Sequence, residues 1–202
     1  MIRAVIFDLD GTLLDRDSSV RSFIEQQYER LKPNLSHILK ENYVQRFIEL
    51  DNRGYVWKDK VYQQLSEEFS IELSPKVMLE DYLREFKHYC VPFVNLHSML
   101  HNLKKLGLKL GLITNGYGQF QLDNIRALKV EDNFDVILIS EWEGIKKPNA
   151  EIFHRALSKL GVSANESMYI GDHPFNDVEA AKKVGNKPSF LHLPPINYTL
   201  PV

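Results

Sequence analysis

Short apolar runs separated by helical patterns are the feature that most constrains the fold of this chain. Four of them end in polar residues or glycine: Ala4–Phe7, Leu108–Ile113, Asp135–Ser140 and Met168–Ile170. Each run is too short for a helix, and runs of this kind are typical of strands that are buried on both faces of a parallel sheet. Ser189–Leu193 is a weaker fifth candidate.

Helical patterns lie between the later runs. Apolar residues recur at helical spacing, and a glycine follows the last of them, in Leu96–Leu106, Ala150–Leu160 and Asp177–Val184. A glycine in that position is a helix stop signal. Strands that alternate with helices in this way predict an α/β fold with a Rossmann-like parallel sheet as its core.

Residues 16–92 interrupt the alternation. This segment contains successive helical patterns and no strand pattern; the patterns are Ser19–Leu31, Ser36–Asp51, Lys58–Phe69 and Pro75–Tyr89. We therefore expect two domains. Residues 1–15 and 93–202 would form the α/β core, and residues 16–92 would form an all-helical domain inserted after the first strand.

Composition and charge exclude several classes of function. The chain has 25 basic and 27 acidic residues and no basic block, which argues against nucleic acid as a partner. Cys90 is the only cysteine, so neither an internal disulfide nor a multi-thiolate metal site is possible. No apolar run has the length of a membrane span, and Asp8 and Asp10 interrupt the first apolar run, unlike in a signal peptide. We expect a cytoplasmic protein without a membrane partner.

Polar side chains follow each of the four runs. Because the carboxyl ends of parallel strands meet at one edge of a sheet, ligands bind there. The residues that the sequence brings to this edge are Asp8, Asp10, Thr114, Asn115, Lys146, Lys147, Asp172 and Asp177. Four carboxylates so close together repel one another and are costly to desolvate.

A hard divalent cation would remove that repulsion. The candidate ligands are all oxygens, with neither histidine nor cysteine among them, and this donor set points to Mg²⁺. A metal carboxylate, a lysine and backbone amides together would bind a phosphoryl group. One carboxylate could then attack phosphorus and form an aspartyl-phosphate.

Four segments resemble, in order, the motifs of the haloacid dehalogenase-like (HAD) superfamily: "DLDGTLLD", "LITNG", "KKP" and "GDHPFND". The helical insert resembles the C1-type cap of that superfamily, and the sequence is most similar to its phosphatase and nucleotidase branch. The resemblance implies a Mg²⁺-dependent phosphomonoesterase. Its partner would be a small soluble phosphate, such as a nucleoside monophosphate or a sugar phosphate, and no oligomeric state is implied.

The resemblance also implies roles for individual residues. Asp8 would be the nucleophile, and Asp10 would protonate the leaving oxygen and then activate water. Thr114 and the backbone at Asn115 would hold phosphoryl oxygens. Asp8, the main-chain carbonyl of Asp10, and Asp172 would bind Mg²⁺.

A lysine would offset the charge of the nucleophile and the phosphate. Lys147 is preferred over Lys146 for this role because it directly precedes a proline, as in the family pattern. Asp177 would lie just outside the metal ligands, where it would steady Lys147 or a metal-bound water.

The stretch "LDNRGYVWKDK" (Leu50–Lys60) is a candidate for substrate selection. Gly54 breaks the helical pattern, so a loop is expected there. In caps of the type that this one resembles, the corresponding loop faces the active site. Arg53, Tyr55 and Trp57 would then contact the substrate. The alternative is that Tyr55 and Trp57 pack inside the helical domain.

Other functions compete with this interpretation. A 2-haloacid dehalogenase or a phosphomutase would use the same fold, and a non-catalytic phospho-acceptor or binding domain would use similar residues. Asp10 and Asp172 argue against a dehalogenase, which typically lacks an acid at the first of these positions and needs no metal.

Two features depart from the family pattern. His173 follows Asp172 where a small polar residue is commoner, and it would either bond to a ligand or face solvent. Prolines disfavour a helix in the tail Pro194–Val202, so how the tail covers the sheet edge stays open.

Overall fold

A five-stranded parallel sheet forms the core of the protein. The structure, a computed structural model, describes residues 1–185 and 187–190. The strands are Ala4–Phe7 (β1), Lys109–Thr114 (β2), Val136–Ile139 (β3), Ser167–Gly171 (β4) and Lys187–Phe190 (β5). Their order in the sheet is β3-β2-β1-β4-β5, and every neighbouring pair is parallel. The predicted α/β fold with a Rossmann-like core is confirmed.

Helices make up most of the remaining described chain. The α-helices are Arg16–Arg30 (α1), Lys32–Leu35 (α2), Lys40–Asp51 (α3), Lys58–Phe69 (α4), Pro75–Glu85 (α5), Leu96–Lys105 (α6), Gly118–Ala127 (α7), Ser140–Glu143 (α8), Ala150–Leu160 (α9) and Ala180–Lys183 (α10). Short 3₁₀ turns lie at Asn52–Gly54, Phe86–Tyr89, Glu131–Asn133 and Ala164–Glu166, and a π-helical turn at Pro174–Glu179. Among the described residues, no helix is both long and apolar enough to cross a membrane.

Some element boundaries differ from those expected from the sequence. The helix expected from residue 36 begins at Lys40, because Leu39 has an extended backbone that separates it from α2. The helix expected from residue 177 begins earlier, as the π-helical turn that starts at Pro174. The fifth strand begins at Lys187, two residues before the expected start, and is described as far as Phe190; the remainder of the expected strand, residues 191–193, lies outside the described residues. The tail from Pro194 lies outside the described residues.

The chain divides into two compact units. One contains Met1–Leu13, Val94–Gln121 and the described residues from Val130 onward, and the other contains Leu14–Phe93 and Leu122–Lys129. We call them the α/β unit and the helical unit.

In the α/β unit, β1 is buried along its whole length. The apolar face of α9 helps to cover the sheet with Ile152, Phe153, Ala156, Leu157 and Leu160. Asn149 caps the start of α9, and Gly161 ends the helix in a left-handed conformation. A strand buried on both faces cannot accommodate unpaired charges along its length, so polar groups are confined to its ends.

The helical unit packs around aromatic side chains and one buried amide. The Gln27 side chain is fully buried, and its oxygen accepts bonds from the hydroxyls of Tyr62 at 2.8 Å and Tyr43 at 3.3 Å. Its nitrogen donates to the Met78 carbonyl and to Asp81, each at 3.0 Å. Because both ends of the amide are bonded, its burial costs little stability.

Candidate active site

The carboxyl ends of three neighbouring strands bring the main candidate residues together. Asp8 directly follows β1, Thr114 is the last residue of β2, and Asp172 directly follows β4. β1 lies between β2 and β4, so Asp8 occupies the centre of this edge. Lys147 reaches the same edge from the segment between α8 and α9.

Lys147 is the cation of the site. Its side chain is 3% exposed, and its ammonium donates to Asp8 Oδ1 at 2.5 Å, to Asp177 Oδ1 at 2.7 Å and to the Tyr169 hydroxyl at 3.0 Å. An ammonium has three hydrogens, and three acceptors surround this one. Lys146 is exposed, so of the two candidate lysines Lys147 is the one that contacts the buried carboxylates.

Asp177 lies behind Lys147 and is held from three sides. Its Oδ1 accepts bonds from Lys147 and from the Tyr169 hydroxyl at 3.0 Å, and its Oδ2 accepts from the backbone N–H of His173 at 3.0 Å. Sequence reasoning missed Tyr169, because it lies inside an apolar strand pattern. The property that could have identified it is chemical, because a buried tyrosine hydroxyl requires a polar partner.

Asp8, Asp172 and Asp177 form an oxygen-only cluster. Each has a carboxylate oxygen within 4.8 Å of the others. Gly11 makes this approach possible: its φ of +82° favours glycine, and a side chain there would collide with the Asp172 carboxylate. The geometry and the donor chemistry fit a hard divalent cation.

Asp10 lies beside this cluster, and its carboxylate is bound to a residue that sequence reasoning missed. Gln121, in the first turns of α7, donates from Nε2 to Asp10 Oδ2 at 2.7 Å and to Thr114 Oγ1 at 2.7 Å. The same nitrogen is 3.0 Å from the Asn115 carbonyl oxygen. No sequence pattern distinguishes Gln121 from other polar residues of a helix.

The Asn115 side chain holds the segment that carries Lys147. Its Nδ2 donates to the Lys147 carbonyl at 3.0 Å, and its Oδ1 accepts from the Lys147 N–H at 2.9 Å. Ser140 accepts a bond from the N–H of Gly116 at 2.9 Å, and Glu141 accepts one from the N–H of Gly118 at 2.6 Å. The loop after β2 is therefore fixed from both sides.

The buried charges at the site change one another's pKa values. Burial raises the pKa of Asp8 to about 8; Lys147 opposes this shift, while Asp177 and Asp10 add to it. Burial alone would lower the pKa of Lys147, but Asp8, Tyr169 and Asp177 outweigh it and hold that pKa well above its usual value. The Lys147 ammonium offsets only part of the negative charge of Asp8, Asp10 and Asp177. The remaining negative charge favours the binding of a further cation.

His173 has a local structural role. Its Nδ1 accepts the backbone N–H groups of Phe175 at 3.1 Å and Asn176 at 3.2 Å, which caps the π-helical turn. The two roles expected from the sequence, a bond to a ligand or exposure to solvent, stay predictions, because the capping bonds use only Nδ1. An imidazole acceptor replaces the usual small polar cap.

The remaining predicted site residues belong to the helical unit. Asn52 and Arg53 both have left-handed backbone angles in the turn that follows α3. Tyr55 is 61% exposed and Trp57 is 58% exposed, in contrast to the alternative in which they pack inside the helical domain. Arg53 is also exposed, with Asp17 at 3.9 Å.

Comparison with known proteins identifies the family. The sequence profile of the haloacid dehalogenase-like hydrolases matches residues 5–189. The chain belongs to this family. A glyceraldehyde 3-phosphate phosphatase from Pyrococcus abyssi (strain GE5 / Orsay) is 29% identical over 93% of this chain and 80% of its own length. A phosphoglycolate phosphatase from Aquifex aeolicus (strain VF5) is 28% identical over 92% of this chain and 83% of its own length.

The structure of the HAD-hydrolase YfnB from Bacillus subtilis shares the fold. It matches with a TM-score of 0.79 and 22% identity over 99% of this chain and 90% of that one.

The prediction of a HAD-like phosphatase is confirmed.

The raised pKa of Asp8 predicts a pH-dependent stability in the presence of chelator. The pKa is 3.8 for an ordinary carboxyl and about 8 here, so between these values the native state binds a proton that the unfolded state releases. The free energy of unfolding contributed by this group therefore falls as pH rises from about 4 to about 8. Asp8→Asn should remove this loss, so the Tm of the variant minus that of the unmodified protein should rise by several degrees from pH 5 to pH 8, at about 3 °C per kcal/mol.

Thermal unfolding at pH 5 and pH 8, in chelator, measures the effect. Asp59→Asn, at an exposed position, is the matched control and should follow the unmodified protein at both values. A Tm difference between Asp8→Asn and the unmodified protein that does not grow with pH would contradict the prediction.

Proposed function

We propose that this protein is a Mg²⁺-dependent phosphomonoesterase that hydrolyses a small phosphate metabolite through an aspartyl-phosphate on Asp8. The observation that carries the proposal is the buried Asp8 carboxylate at the sheet edge, bonded to Lys147 and adjacent to Asp172 and Asp177. Such a group is oriented for attack and lies where phosphoryl charge can be neutralised.

Asp8 acts as the nucleophile. Its Oδ1 is bonded to Lys147, and its Oδ2 lies 3.4 Å from the Thr12 hydroxyl, so both oxygens have a defined orientation. A carboxylate oxygen attacks phosphorus, the bond from phosphorus to the ester oxygen breaks, and Asp10 gives its proton to the departing alcohol. Asp10 then takes a proton from water, which attacks the phospho-enzyme, releases phosphate and restores Asp8.

Three groups balance the charge of the phosphoryl oxygens. The Thr114 hydroxyl accepts a bond from Gln121, which leaves its own hydrogen able to bind a phosphoryl oxygen. The backbone N–H at Asn115 is a second donor, and the ammonium of Lys147, whose hydrogens are bonded to Asp8, Asp177 and Tyr169, contributes its positive charge. Because these donors are held by other contacts before substrate binds, they lose little entropy on binding.

Asp8, Asp172 and the main-chain carbonyl of Asp10 would hold Mg²⁺. When bound, the ion supplies positive charge that stabilises the carboxylate nucleophile and the phosphoryl oxygens. Asp177 lies next to these ligands and keeps Lys147 in place through its bond at 2.7 Å. The oxygen-only donor set supports a hard cation of this kind.

Residues 16–92 act as a cap domain in this proposal, and residues 1–15 with 93–202 act as the catalytic core. The compact helical unit supports this division for residues 16–92, although it also contains Leu122–Lys129. The names of two relatives, a glyceraldehyde 3-phosphate phosphatase and a phosphoglycolate phosphatase, support a substrate that is a small phosphate metabolite. A sugar phosphate or a nucleoside monophosphate is the proposed candidate.

Asp8→Asn tests the nucleophile. The amide keeps the shape of the side chain but cannot form the phosphoester, so phosphatase turnover should fall by about four orders of magnitude or more. Mass spectrometry of the quenched unmodified protein should place a phosphoryl group on Asp8. Asp15→Asn, in the same segment but outside the acidic cluster, is the matched control. Near-normal turnover of Asp8→Asn would refute the mechanism.

Metal removal tests the cofactor. Chelation should abolish the phosphatase activity, Mg²⁺ should restore it, and Ca²⁺ should inhibit because its larger and looser coordination displaces the reacting groups. Asp172→Asn should raise the Mg²⁺ concentration needed for half-maximal activity by about 10-fold or more. Undiminished phosphatase activity in chelator would refute the metal requirement.

The exposed loop of the helical unit is proposed to select the substrate. Arg53→Ala or Tyr55→Ala should lower kcat/KM for the best substrate of a metabolite panel about 10-fold more than for a small aryl phosphate, because the aryl phosphate lacks the recognised part. Arg21→Ala, also on the surface of the helical unit, is the control. Equal losses on both substrates, or no loss on either, would remove this loop from substrate selection.

A further inference from the structure

Gln121 is a buried amide whose contacts join three parts of the candidate site. Gln121 is only 3% exposed. The amide nitrogen lies 2.7 Å from Asp10 Oδ2, 2.7 Å from Thr114 Oγ1 and 3.0 Å from the carbonyl oxygen of Asn115. No role assigned above explains why an amide lies at this point.

The chemistry of these partners determines which end of the amide faces them. A carbonyl oxygen only accepts hydrogen bonds, and so does an ionised carboxylate, so the group that faces Asp10 and Asn115 is the NH₂ group. The NH₂ group has two hydrogens and three acceptors around it, so at least one hydrogen is shared between two acceptors. The arrangement therefore links the carboxylate of Asp10 to the hydroxyl of Thr114 through one rigid amide.

The backbone of the loop after β2 is shaped around this side chain. A Cβ placed on Gly116 would lie 2.9–3.0 Å from Cγ, Cδ and Nε2 of Gln121, closer than side chains approach one another. Gly116 thus lets the loop lie directly against the amide. This close approach is independent of the hydrogen bonds and indicates that the position of Gln121 is built into the site.

We propose that Gln121 is a positioning residue that orients the Asp10 carboxylate for proton transfer. The inference rests on the phosphatase mechanism proposed above. By binding Oδ2, Gln121 prevents rotation of the carboxylate and leaves Oδ1 to carry the proton that moves to the leaving oxygen. By binding Thr114 as well, it sets the distance between the proton donor and a group that holds the phosphoryl oxygens, and proton transfer depends steeply on such distances.

The role predicts a dependence on the leaving group that a purely structural role would not produce. An alkyl alkoxide must be protonated as it departs, whereas 2,4-dinitrophenolate departs without a proton. Gln121→Met keeps the length of the side chain and removes its donors. It should slow the transfer of phosphate from an alkyl phosphate to Asp8 by about 10- to 100-fold, and the transfer from 2,4-dinitrophenyl phosphate by less than about 3-fold.

Single-turnover rapid-quench measurements on the Mg²⁺-loaded protein provide the test, with glycerol phosphate and 2,4-dinitrophenyl phosphate as substrates. Gln121→Glu, of the same length, brings a second carboxylate to Asp10 and should give a larger loss on glycerol phosphate. Gln119→Met, an exposed position on the same helix, is the matched control and should behave normally. In an Asp10→Asn background, adding Gln121→Met should cause a further loss of less than about 3-fold, because the carboxylate that it orients is already absent and only its contact with Thr114 is lost.

The outcomes separate this inference from the function on which it rests. Equal losses on both substrates, a loss confined to KM, or an additional loss of about 10-fold or more in the Asp10→Asn background would overturn the role of Gln121 and leave the phosphatase mechanism standing. If the unmodified protein forms no phospho-Asp8 from either substrate, both proposals are refuted. A loss confined to the alkyl substrate, and largely absent without Asp10, is the expected result.

Discussion

The bond between the Lys147 ammonium and the Asp8 carboxylate is the interaction on which the rest of the site depends. Burial drives Asp8 toward its protonated form, and the lysine is the one cation that contacts it among the described residues. Asp177 and Tyr169 in turn hold Lys147, so a single ammonium joins β1, β4 and the segment before α9. Charged groups buried without such partners would destabilise this edge of the sheet by several kcal/mol, as a general rule for unpaired buried ions.

The fold makes this concentration of charge possible because each strand ends at the same edge. β1 is apolar and buried along its length, so its first polar side chain is forced to the end, where Asp8 lies. The same constraint places Thr114 and Asp172 at the ends of the neighbouring strands β2 and β4. The site is therefore built at the ends of hydrogen-bonded strands, which hold its donors in place before substrate binds.

Sequence reasoning located the elements of the sheet and most of the polar groups at its edge. The apolar runs and the glycines after the helices were sufficient for the α/β fold, because hydrophobic periodicity and helix stops are local properties. Boundaries were less accurate where a proline or an extended residue redirects the chain, as at Leu39 and Pro174. The choice of Lys147 over Lys146 rested on a resemblance, and the structure shows that Lys147 has the buried contacts.

By itself, the sequence determined that this chain forms a parallel sheet with a helical insert, that acidic, hydroxyl and lysine side chains gather at one edge, and that the family is that of the haloacid dehalogenase-like hydrolases. Only the tertiary structure decided which residues support those side chains. Gln121 binds Asp10, which is 111 positions away in the chain, and Tyr169 binds Lys147 across 22 positions. Contacts between residues so distant in sequence leave no local periodicity, since they exist only after the strands have paired and the helices have packed against them.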